Sequence, residues 1–254
     1  MKRLLPLALL LLALAAQAAD PSRLRVGVEG AYPPFSTVGP DGKIQGFDID
    51  IANALCAEMK ARCTLVQQEF DGMIPSLQSR KFDMIVASMA ITPERLKVVD
   101  FSDKYYNSAN KLIARLGSPI NGSIAKFNGV RIGVQRSTIN DRYVTAKFTG
   151  ATVVRYVSQD EVYLDLAAGR IDATMVDGIA GDVGFLKTPA GKGFGFVGPD
   201  YRDPEYFGTG AGIAVRKGDT ALRERLNAAI KAIRANGTYQ KLAAKYFPYD
   251  IYGQ

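Results

Sequence analysis

Two segments in different halves of the chain follow one plan, and that plan limits the possible folds more than any other feature. Residues 79–90 (SRKFDMIVASMA) and 167–178 (AAGRIDATMVDG) each run from a basic residue through an apolar one to Asp, then into an apolar strand that opens onto small or acidic residues. Two such units predict two α/β lobes, each placing a functional group at the carboxyl end of a strand, where open α/β sheets bind ligands. A crevice between the lobes is the natural site. In the first segment Phe82, Met84, Ile85 and Val86 form the strand, and Ala87-Ser88-Met89-Ala90 break it. Thr92-Pro93-Glu94-Arg95 then predicts a helix start, with Thr92 as N-cap and Pro93 at the first helical position. Free backbone N–H groups there, with the planar fork of Arg95, suit a carboxylate. Taken alone, the stretch reads as a strand, a turn and a solvated arginine; the rest of the chain changes that reading.

The remaining pattern alternates in the same way. Residues 24–28 alternate as a strand and run into the rigid loop Glu29-Gly30-Ala31-Tyr32-Pro33-Pro34-Phe35. A helix is expected over 47–59, a strand from 64, a short helix over 74–79, and an extended run over 111–115. A second series follows the Gly117-Ser118-Pro119 break: strands at 130–134, 152–156 and 171–175, and helices at 138–147 and 159–168. Asp177 stands just after the last of these strands, at a helix start. A strand over 212–216 and helices over 221–235 and 239–246 finish the chain. The fold class is therefore α/β with largely parallel sheets.

Lys2 and Arg3 precede an apolar run from Leu4 to Ala16, closed by the small-x-small triplet Ala16-Gln17-Ala18. This predicts a signal peptide over residues 1–18, cleaved near Ala18, and an exported, periplasmic protein. The run is short for a membrane span, and no Cys follows the triplet to invite a lipid anchor. The formal charge is +7, or +5 without Lys2 and Arg3, but the basic residues are scattered, so nucleic acid is not an expected partner. In an exported chain the two cysteines, Cys56 and Cys63, predict a disulfide closing a short loop between a helix end and the next strand. A metal or redox pair is the alternative; the spacing is not CxxC and the chain has no His, which also removes His-dependent triads. Neither cofactor nor metal is expected.

In this order, several segments carry a resemblance that covers essentially the whole mature chain: VGVEGAYPPFS, GFDIDIANALC, FDGMIPSLQSRKFDMIVASMAIT with Arg95, DFSDKYY, RIGVQRST, AGRIDATMVD, GFLKTPAGKGF and ANGTYQKLAAKYFPYDIYG. The chain resembles the periplasmic solute-binding proteins of ABC importers for polar amino acids, solute-binding protein family 3. Within it the chain is most similar to the lysine/arginine/ornithine- and histidine-binding group. That implies a periplasmic-binding-protein-like fold, two α/β lobes joined by a two-strand hinge, with 20–108 plus 210–254 as one lobe and 112–206 as the other. The Cys pair also matches the disulfide of that group. Carried over by position, Arg95 would hold the ligand α-carboxylate and Asp177 its α-ammonium. Tyr32 and Phe70 would sandwich the side chain, combining apolar contact with cation–π attraction. Glu29 stands where an acidic residue pairs the distal cation. Ser88 and the backbone of Met89 and Ala90 would share the hydrogen bonds, and Gln135 and Thr138 come from the second lobe. Singly, Tyr32 and Phe70 read as core aromatics, Glu29 as a loop charge and Asp177 as an N-cap; jointly they read as a site.

The chain departs from the family at Ala87, Ala90 and Ile139, where hydroxyl residues are usual. The space freed by Ala87 and Ala90 would admit an N-substituted arginine derivative such as an opine. The implied function is capture of a cationic amino acid (arginine, ornithine or lysine, with histidine or an arginine-derived opine also open) for an inner-membrane ABC permease, by a monomer that closes on a hinge. Two other readings are an enzyme of cyclohexadienyl dehydratase type on the same scaffold, against which Glu29 and Asp177 argue, and delivery of ligand to a sensor.

Overall fold

The structure is a computed structural model and describes residues 22–122 and 127–253, so the signal peptide expected over 1–18 lies outside the described residues. The chain begins with β1 (Arg23–Val28). A small antiparallel sheet of β2 (Ala31–Tyr32), β3 (Ser36–Val38) and β4 (Ile44–Gln45) follows. Next come α1 (Phe47–Glu58), β5 (Arg62–Gln67), α2 (Met73–Gln78), β6 (Met84–Ile85) and β7 (Val99–Tyr106). Then β8 (Asn110–Arg115), β9 (Arg131–Gln135), α3 (Ile139–Lys147), β10 (Thr152–Tyr156), α4 (Gln159–Ala167), β11 (Ala173–Asp177) and α5 (Gly178–Gly181). The last elements are β12 (Phe194–Tyr201), α6 (Pro204–Phe207), β13 (Ala211–Arg216), α7 (Thr220–Ala235) and α8 (Thr238–Ala243).

Two five-stranded sheets result, ordered β5-β1-β6-β13-β7 and β10-β9-β11-β8-β12. In each, a first strand lies parallel between its second and third, and the strand beyond the third runs antiparallel. The chain passes from one sheet to the other after β7 and returns before β13. This is the two-lobe α/β architecture expected from the repeated plan.

The repeat has a physical reason. Asp83, just before β6, accepts from the backbone N–H of Arg25 on β1 (2.9 Å) and from its guanidinium (3.1 and 3.3 Å), while its own N–H donates to the Arg25 carbonyl. Asp172, before β11, does the same to Arg131 on β9, at 2.8 Å to the backbone and 2.7 and 3.0 Å to the guanidinium. Each Asp thus clamps the third strand of its lobe onto the first in fixed register, and fixes where the strand's carboxyl end emerges.

The core follows from the amphipathic pattern. α7 buries Leu222, Leu226, Ala229, Ile230 and Ile233 at helical spacing, in one cluster with α1 residues Phe47, Ile51 and Leu55. The same cluster continues across the cleft to Val162, Phe185 and Phe194, so the two lobes are drawn together. Cys56 at the end of α1 is bonded to Cys63 on β5, the disulfide expected from the sequence.

Three features differ from the sequence reading. β7 and β12 are strands the pattern did not suggest; both are edge strands, which tolerate the charged Asp100, Asp103 and Lys104 and the Pro199 that disguise them. Thr92 Oγ1 accepts from the Arg95 N–H at 3.3 Å, but only a single 3-10 turn over Arg95–Lys97 follows before β7, and Glu94 rather than Thr92 stands at its cap position. The helix expected there is absent because the chain must enter an edge strand at Val99.

Candidate functional site

The carboxyl ends of β1, β6, β9 and β11 converge on one cleft. Immediately after or at these ends stand Glu29, the 87–90 turn, Gln135 and Asp177. The cavity encloses about 610 Å³, counting the part open to solvent, and its walls include Glu29, Tyr32, Phe70, Ser88, Ala90, Arg95, Gln135, Thr138 and Asp177. Met89 is not brought there: its side chain packs in the core with Phe70 and Met73, and its carbonyl accepts from the Gly212 N–H.

Arg95 is held at the mouth by its own turn. One guanidinium nitrogen donates to the Ala90 carbonyl (3.1 Å), another to the Ser137 carbonyl across the cleft (3.4 Å), and the group lies 5.4 Å from the Phe70 ring centroid. Burial lowers its pKa to about 10 against the opposing charge of Glu94, so it stays cationic at neutral pH. A guanidinium has five N–H donors, and the two used here leave a fork for an incoming carboxylate.

Asp177 caps α5, its Oδ1 accepting from the N–H groups of Ile179 (2.8 Å) and Ala180 (3.1 Å). Burial pushes its pKa up to about 6, against the pull of those two donors. The Asp177 carboxylate also lines the cavity, where it can meet a cation. Arg95 comes from the first lobe and Asp177 from the second, so a zwitterionic head group would bridge them.

Glu29 is 5 % exposed, and among the described residues no salt bridge reaches it. Its Oε1 accepts from Gln135 Nε2 across the cleft at 2.5 Å. Burial raises its pKa from 4.5 to about 8; the Gln135 bond opposes this, and the charges of Asp48, Asp160 and Asp71 add to it. An acid so placed calls for a cation. Tyr32 stacks on Phe35 with ring centroids 5.8 Å apart, which fixes its plane at the cavity wall.

Thr138 lines the cavity, but its hydroxyl is already used: it donates to the Gln135 carbonyl (2.7 Å) and accepts from the Asp141 N–H as the cap of α3. Ser88 takes a left-handed conformation (φ 51°). Its N–H donates to Tyr105 Oη and its hydroxyl to Asp48, which also accepts from Tyr105 at 2.7 Å. Burial lifts Asp48 to a pKa of about 7. Asp48 and Tyr105, which brace the 87–90 turn from behind, were not legible in the sequence.

Also missed are three buried amides on the cavity wall, Asn110, Asn140 and Gln159. Among the described residues Asn110 Oδ1 and Asn140 Oδ1 meet no partner, the condition of groups that a ligand or water satisfies. Their local sequence reads as strand start and helix first turn, so nothing distinguished them. Ion pairs also join the two lobes: Arg136 Nε to Asp71 and Arg142 Nη1 to Glu94, each at 2.6 Å, and Arg136 Nη2 to Glu69 at 3.4 Å. Among the described residues no cluster of three or more His, Cys, Asp or Glu is placed to hold a metal ion, and no helix is long and apolar enough to cross a membrane.

Comparison with known proteins matches residues 24–249 to the bacterial extracellular solute-binding proteins, family 3. An L-arginine-binding protein of Pseudomonas aeruginosa is 52% identical over 249 residues, covering 97% of this chain and 96% of the relative. A lysine/arginine/ornithine-binding periplasmic protein of Escherichia coli is 43% identical, covering 95% and 94%. A solved Salmonella typhimurium periplasmic binding protein of high arginine specificity superposes with a TM-score of 0.81 at 35% identity, covering 89% of this chain and 99% of the other.

Proposed function

Since the chain belongs to the bacterial extracellular solute-binding proteins, family 3, we propose that its cleft captures a cationic L-amino acid, arginine or ornithine before histidine. The observation that carries this is Glu29, buried and without a cationic partner among the described residues, in one cavity with Arg95 and Asp177. Arg95 takes the α-carboxylate, Asp177 the α-ammonium, and Glu29 the distal cation, with Tyr32 and Phe70 along the aliphatic stem. A ligand that engages both lobes favours the closed arrangement through contacts the open one does not offer. The lobes are assigned as 20–108 with 210–254, and 112–206, hinged through 107–113 and 205–212. The names of the arginine- and lysine/arginine/ornithine-binding relatives support this ligand class.

The captured amino acid passes from the periplasm to an inner-membrane ABC permease, and no covalent step is involved. Glu29 and Asp177 provide for two cationic groups on one ligand, which argues against a dehydratase acting on prephenate or arogenate. The small side chains of Ala87 and Ala90 keep an arginine-derived opine within the ligand range.

A thermal-shift screen across amino acids and their derivatives tests the reading. A ligand at a hundredfold its Kd stabilises by about 2.7 kcal/mol. Arginine and ornithine are expected to raise the unfolding temperature. Stabilisation by glutamate or glutamine with none from arginine, ornithine, lysine, histidine or opines would reject it.

A further inference from the structure

Gln135 sits at the carboxyl end of β9, on the far side of the cleft from Glu29, and its surroundings leave its side-chain amide only one orientation. Nε2 donates both to Glu29 Oε1 and to the Val157 carbonyl (3.2 Å). A backbone carbonyl can only accept, so the amide cannot be turned over without setting oxygen against oxygen. Both N–H donors are therefore used. The carbonyl oxygen Oε1 meets no donor among the described residues, and the residue lines the cavity. Glu29 presents the same pattern: Oε1 is held by Gln135, and among the described residues no donor meets Oε2.

We infer that Gln135 is a specificity residue for the distal end of the ligand: it fixes Glu29 from the opposite lobe and pairs its own carbonyl oxygen with the free Glu29 oxygen. The cationic end is then read by two acceptors, one from each lobe. The head group bridges the cleft through Arg95 and Asp177, and the far end bridges it as well. Two separated acceptors match the fork of N–H groups on a guanidinium better than the single point of an ammonium. Arginine is thereby favoured over ornithine and lysine.

Position supports the role. The Gln135 carbonyl accepts from Thr138 Oγ1, which fixes the turn after β9, and the Val157 carbonyl follows directly on β10. The amide is thus braced by its own lobe before it reaches Glu29, as a positioning group must be. The charged groups facing Glu29 are Asp48 from α1, Asp160 from the start of α4 and Asp71 from the turn before α2, and all three disfavour its ionisation. The Gln135 amide is what favours it. Removing that amide therefore makes Glu29 harder to ionise, and arginine binding acquires a midpoint at higher pH.

The inference rests on the cationic-ligand reading above, and calorimetry on the purified full protein separates the two. Wild type, Gln135→Leu and Gln135→Glu are titrated with L-arginine and L-ornithine from pH 6 to 9, with thermal unfolding as the check on folding. Gln135→Leu is expected to bind arginine at least tenfold more weakly at pH 7, to lose most of the preference for arginine over ornithine, and to need a higher pH for half of its maximal affinity. Gln135→Glu keeps an acceptor but sets two carboxyls together, so it too moves the midpoint upward. Arginine affinity within twofold of wild type and an unchanged midpoint in Gln135→Leu would overturn the inference; if that variant does not fold, an unchanged midpoint in Gln135→Glu overturns it. A wild type that binds neither arginine nor ornithine would instead overturn the reading on which it rests.

Discussion

Glu29→Gln is expected to stabilise the ligand-free protein while it disables the site. The unfolded chain releases the Glu29 proton near the model-compound value of 4.5, whereas the folded one holds it until about pH 8. The direction follows from linkage: no cost below pH 4.5, stability falling as pH rises through the window, and the full cost reached above about pH 8. At about 1.4 kcal/mol for each tenfold change in proton affinity, the penalty approaches about 4–5 kcal/mol at its largest. A glutamine carbonyl can still accept from Gln135 Nε2, so the substitution removes the ionisation cost without orphaning that amide. Asp48 and Asp177 are also raised by burial and titrate in both proteins; Asp48, whose charge adds to the Glu29 shift, is relieved in the variant and so acts in the same direction. Urea denaturation of ligand-free protein at pH 4.5 and pH 8 reads the effect. The variant should match wild type at the lower pH and exceed it by roughly 3–5 kcal/mol at the higher, by the same conversion. Equal pH dependence in the two proteins would refute the assignment of Glu29 as a buried, unpaired acid.

Arg95→Ala is expected to abolish measurable binding of every α-carboxylate ligand, because the buried carboxylate then has no cation; retention of arginine binding within tenfold would contradict its role. Reduction of the Cys56–Cys63 disulfide should lower stability by about 2–3 kcal/mol, as loop-closure entropy predicts for so short a loop, with no change in ligand preference. The interlobe pairs of Arg136 with Asp71 and Arg142 with Glu94 are partly exposed, so each contributes at most about 1 kcal/mol. Arg136→Ser combined with Arg142→Ser should therefore speed arginine release several-fold in stopped-flow measurements, and added salt should speed release from wild type in the same way.

What the sequence made legible was whatever a local pattern encodes. The Asp83 and Asp172 segments look alike because each performs one clamp on one first strand, and that clamp places the strand ends from which Glu29, Gln135 and Asp177 reach the cleft. Arg95 and the aromatic residues could be placed because they lie in segments with matching order. Asp48 escaped notice because it sits in the first turn of an amphipathic helix, where an acid needs no further explanation, and only tertiary packing sets it under Ser88. At Met89 only the backbone was assigned to the site, and its side chain belongs to the core cluster while that of Ser88 lines the cavity. The edge strands β7 and β12 were hidden by the charges and proline that edges accept. The fork formed by Gln135 and Glu29 joins residues 106 positions apart, a relation that no local pattern carries.

Calorimetric titration of the wild-type protein at pH 8 with L-arginine, L-ornithine, L-histidine, L-glutamine and L-glutamate tests the cation-reading cleft most directly. One-site binding of arginine, with ornithine weaker and glutamine and glutamate at least a hundredfold weaker, is the result expected if Glu29 reads a distal cation between Arg95 and Asp177. Tight binding of glutamate or glutamine with no heat from arginine, ornithine or histidine would contradict it.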